Sequence, residues 1–333
     1  MRVRAAAIAA ILIALTTIPC VQGAIPLRIG LGADGDPIRQ AAATSFRAEI
    51  ERISGGRMHA SVAGPALWGR PSASELELVR AVIAGDPPAA VVSSAALTNF
   101  SPSFDVLDAP GLFVDEAHAI TVLHGPCGRA LLDTLGPAGM RGLAFLGPDF
   151  RVLVGPAGLG HPLTLRSTRM ATLQSTSAGA FVEALGGEAV PAPLERLSEM
   201  AQKGFVDGAD LAPSSLRASS ADVSWPLTLD TRHAISASVL IANRRFFDEL
   251  APENRLLIWR ATLASMRSAR DEAQRLSWAW RASAERAHRL LTFDARQRAQ
   301  LGAALSMARA LACRRVDPSI LHDIEALRPP ASR

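Results

Sequence analysis

Residues 26–62 read PLRIGLGADGDPIRQAAATSFRAEIERISGGRMHASV. Leu27, Ile29 and Leu31 alternate with other residues, the period of a half-buried strand. Pro37 then opens a helix, because its fixed φ and missing N–H suit a first helical turn. That helix runs to about residue 53, where Gly55 and Gly56 stop it. From Met58 to Val62 the alternation returns. A strand, a helix and a second strand in this order mark an α/β chain.

The same grammar continues outward. Residues 72–84 read as a helix, with Ser72 and Glu75 in capping-box spacing. Residues 89–93 (AAVVS) read as a buried strand. Residues 115–135 are helical with a break near Gly125-Pro126. Strand patterns follow at 142–146, 151–154 and 169–173, helices at 177–185 and 195–203, and strands at 205–210 and 233–241. A long amphipathic helix is predicted over 252–291 and another over 294–312. Alternating elements of this kind predict largely parallel sheets. No internal repeat interrupts them.

The chain has 333 residues, which at roughly 100–200 residues per domain suggests about two domains. Its 49% hydrophobic and 20% charged content is a globular balance. The pI near 9.7 comes with a formal charge of only +4, too little for a nucleic-acid surface. Nearly all the basic residues are arginine; Lys203 is the lone lysine. Cys20, Cys127 and Cys313 have no CxxC spacing, so no structural zinc site is expected.

Residues 1–23 have the form of a secretory leader. Arg2 and Arg4 precede an uncharged apolar run too short for a comfortable membrane span, and Val21 and Gly23 suit cleavage before Ala24. Cys20 is expected to leave with the leader. Cys127 and Cys313 would then share an oxidising compartment, where they could pair if the fold brings them together.

Several enzyme signatures fail. Residues 30–35 satisfy G-x-G-x-x-G, but the next strand ends in Ala63-Gly64 with no acidic residue for a ribose, and Pro37 places the helix start after the third glycine. No G-x-S-x-G elbow or H-E-x-x-H occurs. His118, His124 and Cys127 do not fall on one helical face. No catalytic residue, metal site or cofactor is expected.

Four segments carry a resemblance. They are residues 46–57 (FRAEIERISGGR), the stretch Leu107-Asp108-Ala109-Pro110-Gly111-Leu112-Phe113 with His118 after it, residues 195–210 (ERLSEMAQKGFVDGAD), and residues 228–255 with His233, Asn243 and Phe247. In this order and spacing, the chain resembles the solute-binding subunits of TRAP (tripartite ATP-independent periplasmic) transporters. The resemblance covers nearly all of the mature chain. It implies a periplasmic binding-protein fold, with two α/β lobes, mixed sheets, a cleft between the lobes and long C-terminal helices crossing both. The division would be a signal peptide at 1–23, a first lobe at 24–148 with a crossing near 149–155, a second lobe mostly at 151–240, C-terminal helices at 241–320 and a tail at 321–333.

The resemblance also implies a site. An arginine of the second lobe usually grips the solute's carboxylate, which its planar fork fits. Here that position is Ala171. Arg169 lies two residues away on the same strand face and could substitute. Alternatively the solute is not a simple carboxylate, and Leu194, Leu211 and Trp68 line a more apolar pocket. Asp210 and Leu211 stand where the family carries a glutamate–asparagine pair. Arg151 matches a second cleft arginine and is the expected polar contact. Asp34, Ser93, Asn99 and Trp225 are further candidates, because each sits at or after a strand end.

The expected function is capture of a small organic solute in the periplasm and its delivery to TRAP permease subunits in the membrane. The expected protein is a monomer that is not an enzyme. An exported receptor of the same fold without a transport role, or one with a divergent ligand class, is the alternative.

Overall fold

The computed structural model describes residues 23–32, 35–64, 74–159, 164–175, 177–219, 225–287, 289–291 and 293–329. Residues 1–22 of the expected leader, together with Asp34 and Trp68, therefore lie outside the described residues.

The first strand, β1 (Ile25–Gly30), leads to helix α1 (Pro37–Ile53). The Asp36 carboxylate caps α1, accepting from the backbone N–H groups of Ile38 and Arg39 at 2.8 and 3.0 Å. Gly55 and Gly56 both adopt left-handed φ and turn the chain into β2 (Met58–Ala63). Helix α2 (Glu75–Ala84) opens with a capping box, but its members are Ser74 and Glu77, two residues beyond the spacing read from sequence. That shift releases Glu75 for another task. Strand β3 (Ala89–Ser93) runs directly into a single helical turn, α3 (Ser94–Leu97).

The break near Gly125 separates α4 (Glu116–His124) from α5 (Pro126–Asp133). Next come β4 (Met140–Phe150), β5 (Val152–Gly155), β6 (Arg169–Thr172), α6 (Ala180–Ala184), β7 (Glu188–Pro191), α7 (Leu197–Gln202) and β8 (Gly208–Leu211). They are followed by α8 (Pro213–Ala218), β9 (Leu227–Leu229), β10 (Ile235–Asn243), α9 (Arg244–Glu249), α10 (Pro252–Arg286), β11 (Leu290–Leu291), α11 (Ala295–Ala312) and α12 (Pro318–Ala326).

Two sheets result. The five-stranded sheet has the order β2-β1-β3-β10-β4, and the six-stranded sheet the order β11-β9-β5-β8-β6-β7. Both are mixed rather than largely parallel. In the first, β1 pairs parallel with β2 and β3, while β10 runs antiparallel to β3 and β4. In the second, β6 is parallel to β7 and β8, while β5 is antiparallel to β8 and β9. The antiparallel strands adjoin the β4–β5 and β9–β10 crossings between the sheets. These two crossings lie side by side, with the Arg151 N–H donating to the Ala234 carbonyl at 2.9 Å.

Alternate residues of each strand feed separate cores on opposite faces. On the first sheet, Val92, Phe145 and Val239 face one core and Val91, Leu146 and Leu240 the other. On the second, Val152 and Ala171 face one core and Leu153 and Met170 the other. Helix α10 spans 35 residues, about 52 Å, and lies against α1 and β4. Gly147 permits this. Its φ is +47°, and a Cβ there would stand 2.7 Å from the Ala269 carbonyl of α10. Helix α11 packs on α6 of the second lobe, yet its Arg309 donates to the carbonyls of Pro110 and Gly111 in the first, at 2.9 and 2.7 Å. The C-terminal helices thus touch both lobes.

Two expectations change at this end of the chain. The long helix ends at Arg286 rather than near residue 291. Residues 318–326 form α12 where a tail was expected from 321. Ile324 of α12 is buried in the first lobe, and its carbonyl lies 3.1 Å from the His118 Nε2.

Candidate functional site

A cavity of about 380 Å³ opens between the lobes. It sits beyond the C-terminal ends of β3 and β6, where open α/β sheets characteristically hold ligands. The first lobe supplies the start of α2 and the β3–α3 junction, including Glu75, Ser93, Ala95 and Asn99. The second lobe supplies Leu173, Gln174 and Ser175 after β6, and the segment Pro191–Glu195. A deeper chamber of about 20 Å³ shares the walls Ser93, Ala95, Leu173 and Leu194. Its further lining is mostly polar: Asp36, Arg39 and serines from both lobes.

Ser93 ends β3 and caps α3, accepting from the Ala96 N–H at 3.3 Å. Its own N–H and hydroxyl donate to the two oxygens of Glu75, at 2.5 and 2.6 Å. Glu75 is therefore fixed at the mouth of α2 facing the cleft. Arg39, a buried residue of α1, lies behind it. The Arg39 guanidinium is 3.3 Å from Glu75 and 3.7 Å from Asp36.

Asp36 and one further carboxyl, Asp149, lie deep in the molecule at this end. Burial pushes the Asp149 carboxyl up to about 6, outweighing the hydrogen bond it accepts from the Ser214 N–H at 3.1 Å. Burial also raises Asp36 to about 6, assisted by the charge of Glu75 and opposed by its two helix-cap hydrogen bonds. A raised carboxyl holds its proton more tightly folded than unfolded. Its burial penalty therefore disappears as pH falls from about 6 towards 4. Asp149→Asn removes one such group. Compared with the variant, the wild type is expected to gain about 1–2 kcal/mol on going from pH 7 to pH 5. Urea unfolding of both proteins at the two pH values checks this. Parallel pH dependences would contradict it.

Arg151 requires a correction. It is not among the cavity-lining residues, and it is 1% exposed. Its fork grips Asp210 with two hydrogen bonds, of 3.0 and 2.6 Å. It also donates to Asp108 at 2.8 Å and to the Ala178 carbonyl at 2.8 Å. Asp210 in turn accepts from His233 Nε2, 3.0 Å from the nearer oxygen, while the His233 ring stacks on Phe181. This network sits where the chain crosses between sheets. Burial alone would raise Asp210, but Arg151 and His233 hold its carboxyl at about 2. Burial raises Asp108 despite the same arginine and the hydroxyls of Ser175 and Ser177. The two carboxylates differ because Arg151 and His233 both face Asp210, whereas at Asp108 burial outweighs Arg151 and the nearby Asp105 adds like charge. Arg151 and Asp210 are thus buried partners of each other and do not line the cleft.

The other expected residues divide. Ser93, Asn99 and Leu194 line the cavity. Ala171 and Leu211 are fully buried in one core of the second lobe, where Trp225 also packs. Arg169 is not a substitute clamp, because its guanidinium is bidentate to Asp207 at 3.0 and 2.8 Å, away from the lining. Cys127 and Cys313 are separate thiols, both packed against the first-lobe core. Sequence reasoning missed Glu75 as a cleft residue, and it missed Asp36 and Arg39. One signal was available: Arg39 places a cation in the first turn of α1, against the helix dipole, which calls for a local carboxylate.

The family model described as DctP, bacterial extracellular solute-binding protein, family 7, matches residues 31–308. A solute-binding protein of Verminephrobacter eiseniae is 30% identical over 226 residues, 67% of this chain and 66% of that one. The C4-dicarboxylate-binding periplasmic protein DctP of Rhodobacter capsulatus is 26% identical over 48% of this chain and 49% of its own length. The match thus spans two thirds or less of these two relatives. Among solved structures, the sugar acid binding protein DctPAm of Advenella mimigardefordensis, in complex with galactonate, superposes with a TM-score of 0.81. It is 22% identical and covers 91% of this chain and 97% of its own. A TRAP periplasmic solute-binding protein of Sulfurospirillum deleyianum with bound succinate gives a TM-score of 0.79 at 17% identity, over 91% of this chain and 99% of its own. At such identities the likeness concerns the fold.

Proposed function

Because the chain belongs to the DctP family of bacterial extracellular solute-binding proteins (family 7), we propose that it captures one small organic solute between its lobes in the periplasm. The bound solute is then presented to the membrane subunits of a TRAP permease. The observation that carries this reading is the cavity of about 380 Å³ walled by both lobes, a size suited to a small organic molecule. A ligand that touches both walls stabilises the closed arrangement over the open one by its differential contacts. Capture of this kind is binding without chemistry. The cavity wall accordingly combines apolar surface with a few fixed polar groups and needs no nucleophile. The leader read at residues 1–23 supports export.

Thermal denaturation of the mature protein with a panel of organic acids, neutral polyols and amines tests the reading. A true ligand at about 100 times its Kd adds about 2.7 kcal/mol of stability and raises Tm by several degrees. A panel that leaves Tm unmoved throughout would contradict it.

A further inference from the structure

We propose that the solute carries a protonated amine, and that Glu75 is the group that receives it. This rests on the solute-capture reading and adds the charge of the ligand.

The first observation is the charge of the wall. Among the described residues lining the main cavity, the ionisable ones are Glu75 and Glu195. The deeper chamber adds Asp36 and a single cation, Arg39. Arg39 lies within 3.7 Å of both Glu75 and Asp36, so its charge is shared between two carboxylates. The arginines that could have offset this are engaged elsewhere: Arg151 with Asp108 and Asp210, Arg169 with Asp207. Position 171 holds a buried alanine. The described lining therefore carries an excess of negative charge.

The second observation is the state of Glu75. Its side chain keeps about a quarter of its surface exposed, at the cavity wall. The Ser93 N–H and hydroxyl fix both oxygens in place. A carboxylate offers about four acceptor positions, so an edge remains for a ligand donor after Ser93 and Arg39 are served. An acceptor already held in position loses little entropy when the ligand arrives. Leu76, Leu173 and Leu194 form apolar wall beside it, and a charge pair in such surroundings is stronger than in water. An ammonium group gains from this arrangement. A ligand carboxylate at the same place meets like charge. Asn99 and Gln174 offer neutral hydrogen bonds to the rest of the solute.

The test uses three skeletons, each as amine, alcohol and carboxylate. They are cyclohexylmethylamine, cyclohexylmethanol and cyclohexanecarboxylate, and the corresponding benzyl and n-pentyl sets. Calorimetric titration of the mature protein is expected to show the amine binding at least about tenfold tighter than the carboxylate of its own skeleton. Glu75→Gln is expected to lower amine affinity at least about tenfold more than it lowers affinity for the alcohol of the same skeleton, which separates loss of the charge from any general disturbance of the cleft. The inference is overturned if carboxylates bind as tightly as amines, if no amine binds, or if Glu75→Gln leaves amine affinity unchanged. Binding by carboxylates alone would overturn only the charge assignment. Failure of all three chemistries would count against solute capture as well.

Discussion

Arg151→Ala is expected to destabilise the protein by about 3–5 kcal/mol, the cost of leaving buried charges without their partner. The side chain is 1% exposed, and its four hydrogen bonds join Asp108 of the first lobe to Asp210 and Ala178 of the second. Removing it strands two carboxylates in the interior. Asp210, now held at about 2, would lose its main counter-charge and rise under the desolvation that already acts on it. The ordinary acid stability of the protein would change with it. A carboxyl depressed in the folded state contributes stability above its unfolded value near 3.8, and that contribution is lost as pH falls towards 2. Urea unfolding of wild type and Arg151→Ala measures the loss. A variant with wild-type stability but a tenfold weaker ligand would instead return Arg151 to the role that its position in the sequence suggests.

Ala95→Trp is expected to abolish solute binding, by about a hundredfold or more, equivalent to about 2.8 kcal/mol. Ala95 belongs to α3 of the first lobe, but it packs into a core cluster whose other members come from the second lobe. It lines both the main cavity and the deeper chamber. An indole there occupies ligand space and holds the lobes apart. The added bulk lies at the seam between lobes, so the stability cost should stay near the 1–3 kcal/mol typical of overpacking. Calorimetry with any solute found by thermal shift reads the binding loss. Small-angle scattering should show the variant locked in the wider form. Near wild-type affinity would mean that the cavity is not where the solute sits.

The fold was legible because its signals are local. Pro37 at the start of α1, the paired glycines after it and the alternation of β1 and β2 lie within the segments they shape. The resemblance to TRAP solute-binding subunits, read from four short segments, is borne out by the family match over residues 31–308. What escaped was structure held by distant contacts. Helix α12 exists because Ile324 enters the first-lobe core and Arg328 donates to the carbonyls of Gly111 and Leu112. Asp317 and Pro318 are a local start signal that the sequence reading passed over, but the contacts that hold the helix lie 216 and 217 residues away.

The site divides along the same line. Ser93 and Asn99, expected because strand ends face the cleft, and Leu194, expected from the resemblance, do line the cavity. The arginines were misjudged because a side chain's sequence context does not name its partner. The carboxylates that engage Arg151 are 43 and 59 residues away. Glu75 was read as a cap for Ser72, a purely local role, while its real partner is Ser93, 18 residues on.

The central claim is that one small solute binds between the lobes. Calorimetric titration of the best thermal-shift compound into wild type and Ala95→Trp, side by side, tests it most directly. Saturable binding at one site per chain in the wild type, lost in the variant, is the predicted result. Saturable binding that survives Ala95→Trp would contradict it, as would the absence of saturable binding to the wild type by any compound of the panel.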